Sequence, residues 1–137
     1  MPEKIVLHPL TRIGTDPNGK PALVVHLEMR DRFGQSIKAL GRLRVELYKP
    51  VSDGSGGVQA QDVVWNVDLS NPERNALLYD DLVTRTYTVT LGDLPEWLLG
   101  WAAATEKGVA PTVKATFVCG DGKGGQKTLT DTLRLMK

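Results

Sequence analysis

Cysteine, long apolar runs and an excess of charge of one sign are all missing or scarce in this chain. Its 137 residues include one cysteine, so no disulfide can form within it. This is typical of a reducing compartment, although many bacterial envelope proteins also lack disulfides. No apolar run approaches the roughly 18 residues that span a bilayer, so we expect no membrane insertion.

The charges are nearly balanced, with 17 lysines and arginines against 16 aspartates and glutamates, for a formal net charge of +1. Nucleic acids and anionic membranes usually bind proteins that have a surface of one sign. We therefore expect neither as a partner.

The chain does have the size and composition of one globular domain. It is 41% apolar and 24% charged, close to the globular average. A chain of this length can bury a core without help from a metal or a disulfide. We expect residues 1–137 to form a single domain.

Apolar and polar residues alternate with period two along most of the chain, as in Val113, Ala115 and Phe117 on one side of a stretch. Successive side chains of a strand point to opposite faces, so each such stretch has one face for a core. The pattern predicts an all-β, two-sheet antiparallel sandwich of about seven or eight strands. The predicted strands are 4–13, 22–30, 36–40, 42–49, 62–69, 82–91, 112–119 and 127–136.

One or two short connecting helices are predicted, near 72–79 and 94–105. The first follows Ser70-Asn71-Pro72-Glu73, where proline is tolerated in the first helical turn. In the second, Asp93 and Glu96 have the spacing of a capping box ahead of an amphipathic pattern.

Two charged residues break the alternation. Arg85 falls on the apolar face of the predicted strand 82–91, and Asp131 shares a face with Leu129 and Leu133. A long arginine stem can lie along apolar surface while its charge reaches the edge. Such breaks are where function is sought first, and Arg85 is a candidate ligand or partner contact.

Acidic residues in the predicted loops raise the question of calcium, which takes six to eight oxygen ligands. Asp80 and Asp81 are the best local pair of metal ligands, although Asp and Asn are also ordinary turn residues. His8 and His26 would lie opposite each other in a hairpin, but a stable metal site needs a third ligand. Calcium is thus the candidate cofactor, with solvated side chains as the alternative.

The sequence has no motif that specifies nucleophilic catalysis, since no G-x-S-x-G elbow is present. Cys119 falls on the inward face of its predicted strand, which favours a buried, unreactive thiol. Carboxylates paired in space remain a third hypothesis. We expect the protein not to be an enzyme.

Trp97 and Trp101 lie one helical turn apart on the same predicted helix face as Leu94 and Leu98. Such a face either closes an open end of the sandwich or forms an exposed aromatic patch that binds sugar or a partner protein. Trp97 and Trp101 are therefore the candidate ligand or partner residues, alongside Arg85.

The strand arrangement resembles immunoglobulin-like and C2-like sandwich modules. The segments 5–10, 16–21, 23–25 and 41–45 also look like uncharacterised bacterial envelope or lipoprotein-type domains. The resemblance implies a location in the cell envelope, periplasm or extracellular space if a signal peptide was removed, and it implies no known activity.

These observations favour a non-catalytic module with a structural or protein-interaction role. The alternative is a carbohydrate- or calcium-binding module that uses strand-end loops or the Trp97/Trp101 face. The segment 36–40 and the first strand are the expected sheet edges, where Lys38 and Pro9 would hinder pairing between chains. A monomer is therefore favoured.

Overall fold

The structure is a computed structural model that describes residues 1–50, 59–80, 82–105 and 108–136. Strand accounts for 51% of it and helix for 12%. In chain order, the described elements are β1 (Lys4–Leu7), β2 (Arg12–Thr15), β3 (Pro21–Arg30), β4 (Arg42–Pro50), β5 (Gln59–Asp68), α1 (Pro72–Leu78), β6 (Tyr79–Asp80), β7 (Thr86–Leu91), α2 (Glu96–Ala103), β8 (Thr112–Gly120) and β9 (Gln126–Arg134).

The first sheet has the order β1-β3-β7-β6, and β2 also pairs with β3. Strands β1 and β2 follow each other along the same edge of β3, in place of the single predicted strand 4–13. The interruption is a turn in which the Thr11 amide donates to the His8 carbonyl. Pro9 lies within this turn and has no amide hydrogen to give to a sheet.

The second sheet has the order β5-β4-β8-β9, with every neighbouring pair antiparallel. The pairing of β4 with β5 is irregular at one place, where Leu47 faces Val63 and the next residue, Tyr48, faces Gln61. Asp62 is the extra residue of a β-bulge on β5, which bends the strand locally.

The core lies between the two sheets and consists of the apolar residues of the alternating pattern. Because one face of each strand is buried, the period-two pattern sets both the face and the register of the pairing. The all-β, two-sheet sandwich predicted from the sequence is confirmed. The largest fully buried side chains include Tyr87, Phe117, Ile5, Leu23, Leu27, Met29, Leu43 and Leu47.

On one flank of the sandwich, β1 lies beside β9, and side chains join the two sheets. The Leu7 amide donates to Asp131 Oδ2 at 2.7 Å. Lys127 Nζ donates to the Pro2 carbonyl at 3.3 Å and forms an ion pair with Glu3 at 2.7 Å. Asp131 therefore breaks the apolar pattern because it bonds a backbone amide of the opposite sheet. The strand orders then put β5 and β6 together on the other flank.

Helix α1 begins where the sequence predicted, and Asn71 is its N-cap, accepting from the Glu73 and Arg74 amides. Helix α2 begins at Glu96, and its N-cap is Pro95, which makes no side-chain capping bond. The predicted capping role of Asp93 is wrong, because Asp93 has a left-handed backbone with φ of 55°. No helix in the described ranges is long and apolar enough to cross a membrane.

The segment 36–40, predicted as a short edge strand, is not a strand. Ser36 makes an isolated bridge to Arg30, after which the chain leaves the first sheet. Ala39 instead meets the buried Tyr87 hydroxyl, which accepts from the Ala39 amide at 3.0 Å. The local alternation could not show this, because the bond depends on a side chain 48 residues away.

Candidate functional site

The two candidate tryptophans of α2 are half-buried and pack against the core. Trp97 Nε1 donates to Asp62 Oδ2 at 2.6 Å, at the β5 bulge. The Lys49 ammonium lies 5.6 Å from the centre of the Trp97 ring, within the range of a cation–π contact. Trp97 thus presents part of an aromatic face between an acid and a base, while Trp101 packs against the core.

Arg85 lies outside β7, and its side chain is exposed. Its backbone is left-handed, with φ of 52°, so it ends a turn and does not continue a strand. The prediction that Arg85 lies on the inward face is therefore wrong. Strand β7 begins one residue later, at Thr86, and its inward residues include Tyr87, Val89 and Leu91.

Asp80, one of the two candidate calcium ligands, stabilises the turn that follows β6. Its Oδ1 accepts from the amides of Val83 at 3.2 Å and Leu82 at 3.1 Å, and its Oδ2 accepts from the Thr84 hydroxyl at 3.2 Å. The amide bonds, with that of Val83 first, lower the pKa of Asp80 below its ordinary value. Asp81 lies outside the described residues.

Other loop carboxylates also stabilise turns. Asp16, Asp31 and Asp121 each accept two backbone amides of their own turn, at 2.7–3.0 Å. Aspartate is common in turns for this reason. Across the four described ranges, no three histidine, cysteine, aspartate or glutamate side chains form a group that could hold a metal ion.

His8 and His26 lie opposite each other, as predicted, and the His8 amide donates to the His26 carbonyl at 2.8 Å. His8 Nδ1 accepts from the Leu10 amide at 3.2 Å, and His26 Nδ1 lies 3.3 Å from the Thr88 hydroxyl. Partial burial, followed by the charge of His8, lowers the pKa of His26. Both rings therefore interact with neighbouring groups of the first sheet.

Cys119 is buried on the inward face of β8, and burial raises the pKa of its thiol. A thiol is a weak nucleophile unless it ionises, so this environment favours an inert side chain.

The most exposed apolar side chains of the described chain are Leu77, at 85% of full exposure, Leu82, at 94%, and Val83, at 83%. Leu77 is in the last turn of α1, and Leu82 and Val83 form the turn between β6 and β7. Leu77 and Leu82 are five positions apart in the chain, so their Cα atoms are at most about 18 Å apart. We call these three residues the apolar corner.

A buried polar network holds α1, the helix that carries Leu77 of the apolar corner. Asn75 Nδ2 donates to the carbonyls of Ala39 at 2.7 Å and Leu69 at 2.9 Å. The Tyr87 hydroxyl donates to Asn75 Oδ1 at 2.7 Å. These bonds join α1, which carries Leu77, to the neighbouring chain segments, while Asp80 holds the turn that carries Leu82 and Val83.

Sequence reasoning missed the apolar corner. It placed Leu82 and Val83 in the strand 82–91, where half of the residues would be buried, and assigned Leu77 to a helix without choosing a face. Asp80, placed two residues before Leu82, could have indicated a turn, since an aspartate side chain accepts hydrogen bonds from the amides that follow it.

Comparison with known proteins leaves the family of this chain open. No protein-family model matches it, and neither a curated protein nor a solved structure matches it.

Proposed function

We propose that this chain is a non-catalytic β-sandwich module that binds another protein through the flank carrying the apolar corner. The observation that carries this proposal is the exposure of Leu77, Leu82 and Val83, each above 80%. Neighbouring exposed apolar residues commonly mark protein-binding surfaces.

The remaining exposed apolar residues support the choice of this flank because they are dispersed. They lie at separate places in the chain: Met1, Leu10, Phe33, Leu40, Val109 and Met136. Single exposed apolar residues are ordinary on a protein surface. The corner differs in having three within seven residues of chain.

A non-catalytic role agrees with the state of the reactive side chains. The Cys119 thiol is buried, and both histidines interact within the first sheet. The cell-envelope location implied by the resemblance stays a prediction.

Protein capture tests the proposal. We expect immobilised wild-type chain to retain at least one protein from a lysate of its source cells, and the Leu77→Ser/Leu82→Ser/Val83→Ser variant to lose it. The matched control, Leu10→Ser/Phe33→Ser/Met136→Ser, removes similar exposed apolar surface elsewhere and should retain it. Quantitative mass spectrometry that finds the same proteins on all three chains contradicts the proposal.

A second candidate function is carbohydrate binding at Trp97. Its ring is part exposed, with Asp62 bonded to its N–H and Lys49 against its face. An aromatic face beside polar groups suits a sugar, because C–H groups pack on the ring while hydroxyls bond to the side chains.

Titration with soluble polysaccharides, following tryptophan fluorescence, tests this second candidate. Trp97→Ala should weaken binding by about fivefold or more, because stacking of a ligand ring on an aromatic side chain contributes about 1–3 kcal/mol. Phe33→Ala, which removes an exposed aromatic ring elsewhere, should leave binding unchanged. A glycan array without binding to the wild-type chain excludes the candidate.

A further inference from the structure

The two outer strands of the second sheet differ in what lies beyond them. Beyond β9 lies β1, joined to it through Asp131 and Lys127. Among the described residues, β5 is paired on one side with β4 and has no strand on its other side. An unpaired edge presents free backbone donors and acceptors to another strand.

The register identifies which backbone groups of β5 face outward. Gly41 and Leu69 bond each other's backbone in both directions, at 2.9 and 3.4 Å. Antiparallel pairs alternate between bonded and non-bonded, so the pairs of Asn66 with Arg44 and of Asp68 with Arg42 are non-bonded. The N–H and C=O groups of Val64, Asn66 and Asp68 therefore point away from β4, toward the open edge.

Over its second half, this edge lacks the features that usually prevent strands of different chains from pairing, such as proline, lysine or a bulge. Gln59–Asp68 contains no proline and no lysine. The bulge at Asp62 bends only the first half of β5, so Val63–Asp68 continues in regular register. The expected edge protection by Lys38 and Pro9 lies on other parts of the fold.

We propose that the open edge of β5 pairs antiparallel with the same edge of a second copy of this chain, about a two-fold axis at Asn66. This deepens the proposed function, on which it rests, by naming the partner. Val64, Asn66 and Asp68 of one copy then exchange backbone bonds with Asp68, Asn66 and Val64 of the other. The two four-stranded sheets become one continuous sheet.

The side chains of β5 are compatible with this self-pairing. Asn66 faces its own copy, and two amides can bond each other. Asp68 faces Val64, so no two like charges are directly opposed, a condition for stable cross-strand pairs. On the inner face, Trp65 of one copy lies directly opposite Val67 of the other, and both are apolar. Pairing with a second copy therefore brings no like charges directly opposite each other.

The apolar corner strengthens the case for a second copy. Because β6 and β5 share a flank, Leu77, Leu82 and Val83 lie on the side that the two-fold axis brings toward the partner. A few paired residues alone bury too little surface for a stable dimer, and apolar area beside them adds to it. Both features act on one interface.

Introducing a charge at Asn66 tests the proposal, and sedimentation equilibrium measures the strength of the dimer. The wild-type chain should dimerise, and Asn66→Lys or Asn66→Asp should each weaken the dimer by about tenfold or more, because like charges then face each other. An equimolar mixture of the two variants should restore it as a heterodimer. Thr130→Lys, at the equivalent outward position of β9, is the matched control and should dimerise like wild type.

Several outcomes would overturn this inference. A wild-type chain that stays monomeric up to about 1 mM has no such interface. A dimer that Thr130→Lys disrupts and Asn66→Lys leaves intact uses the β9 flank. A monomeric chain that loses a captured protein on Asn66→Lys pairs with a foreign strand, and in that case the proposed protein-binding function stands while the second copy does not. Thermal unfolding of each variant establishes that it folds, as expected for the exposed Asn66.

Discussion

Replacing Asn75 by alanine is expected to lower the free energy of unfolding by about 3–4 kcal/mol, because it removes three hydrogen bonds of a buried side chain. The carboxamide donates to Ala39 and Leu69 and accepts from the Tyr87 hydroxyl, and both Asn75 and Tyr87 are buried. A buried acceptor that loses its partner costs about 1–3 kcal/mol. Urea unfolding followed by tryptophan fluorescence measures the change.

Asn71→Ala in the same helix is the matched comparison, since it removes an exposed N-cap and should cost about 1 kcal/mol. Tyr87→Phe should cost about 1–3 kcal/mol, and its effect should be less than additive with Asn75→Ala because the two share a bond. If Asn75→Ala destabilises no more than Asn71→Ala, the network does not hold α1 in place.

Replacing Gly41 by alanine is expected to destabilise the fold by about 2–3 kcal/mol, the ordinary cost of overpacking. A Cβ atom at this position would lie 2.5 Å from the Val118 carbonyl oxygen and 2.6 Å from the Phe117 ring. Phe117 is fully buried, and Val118 is held in the sheet, so neither can move freely.

Gly100→Ala is the opposite case within the same chain. No atom lies within 4 Å of a Cβ at Gly100, which is an exposed residue inside α2. Alanine there should stabilise the protein by about 0.5–1 kcal/mol, through helix propensity and a less flexible unfolded chain. Equal effects of the two substitutions in thermal unfolding would show that the contact at Gly41 is not restrictive.

Much of the fold could be predicted from local pattern. Strands β3, β4 and β8 match their predicted spans to within a residue or two because each buries one face, and burial makes the period unambiguous. Helix α1 was also found in place, since proline and an asparagine cap act within a few residues. These are properties that neighbours in sequence determine.

The predictions that were wrong concern features that the local sequence pattern does not determine. Arg85 and Asp93 both have left-handed backbones, which the alternation pattern does not reveal. The segment 36–40 has a strand-like pattern, yet Ala39 bonds to Tyr87, far away in sequence. Asp131 interrupts the apolar pattern of its strand, and its carboxylate accepts a hydrogen bond from the Leu7 amide of the other sheet. For the segment 36–40 and for Asp131, a partner far away in the chain outweighed the local preference.

The sequence by itself determined the class of this protein: a two-sheet antiparallel sandwich with an apolar core. It did so because side-chain direction alternates along every strand, whatever lies beside it. Tertiary structure alone decided that the edge of β5 is open, which flank carries the apolar corner, and which side chains contact Trp97. Those features depend on the order of strands within the sheets, and strand order is set by packing between segments far apart in the chain.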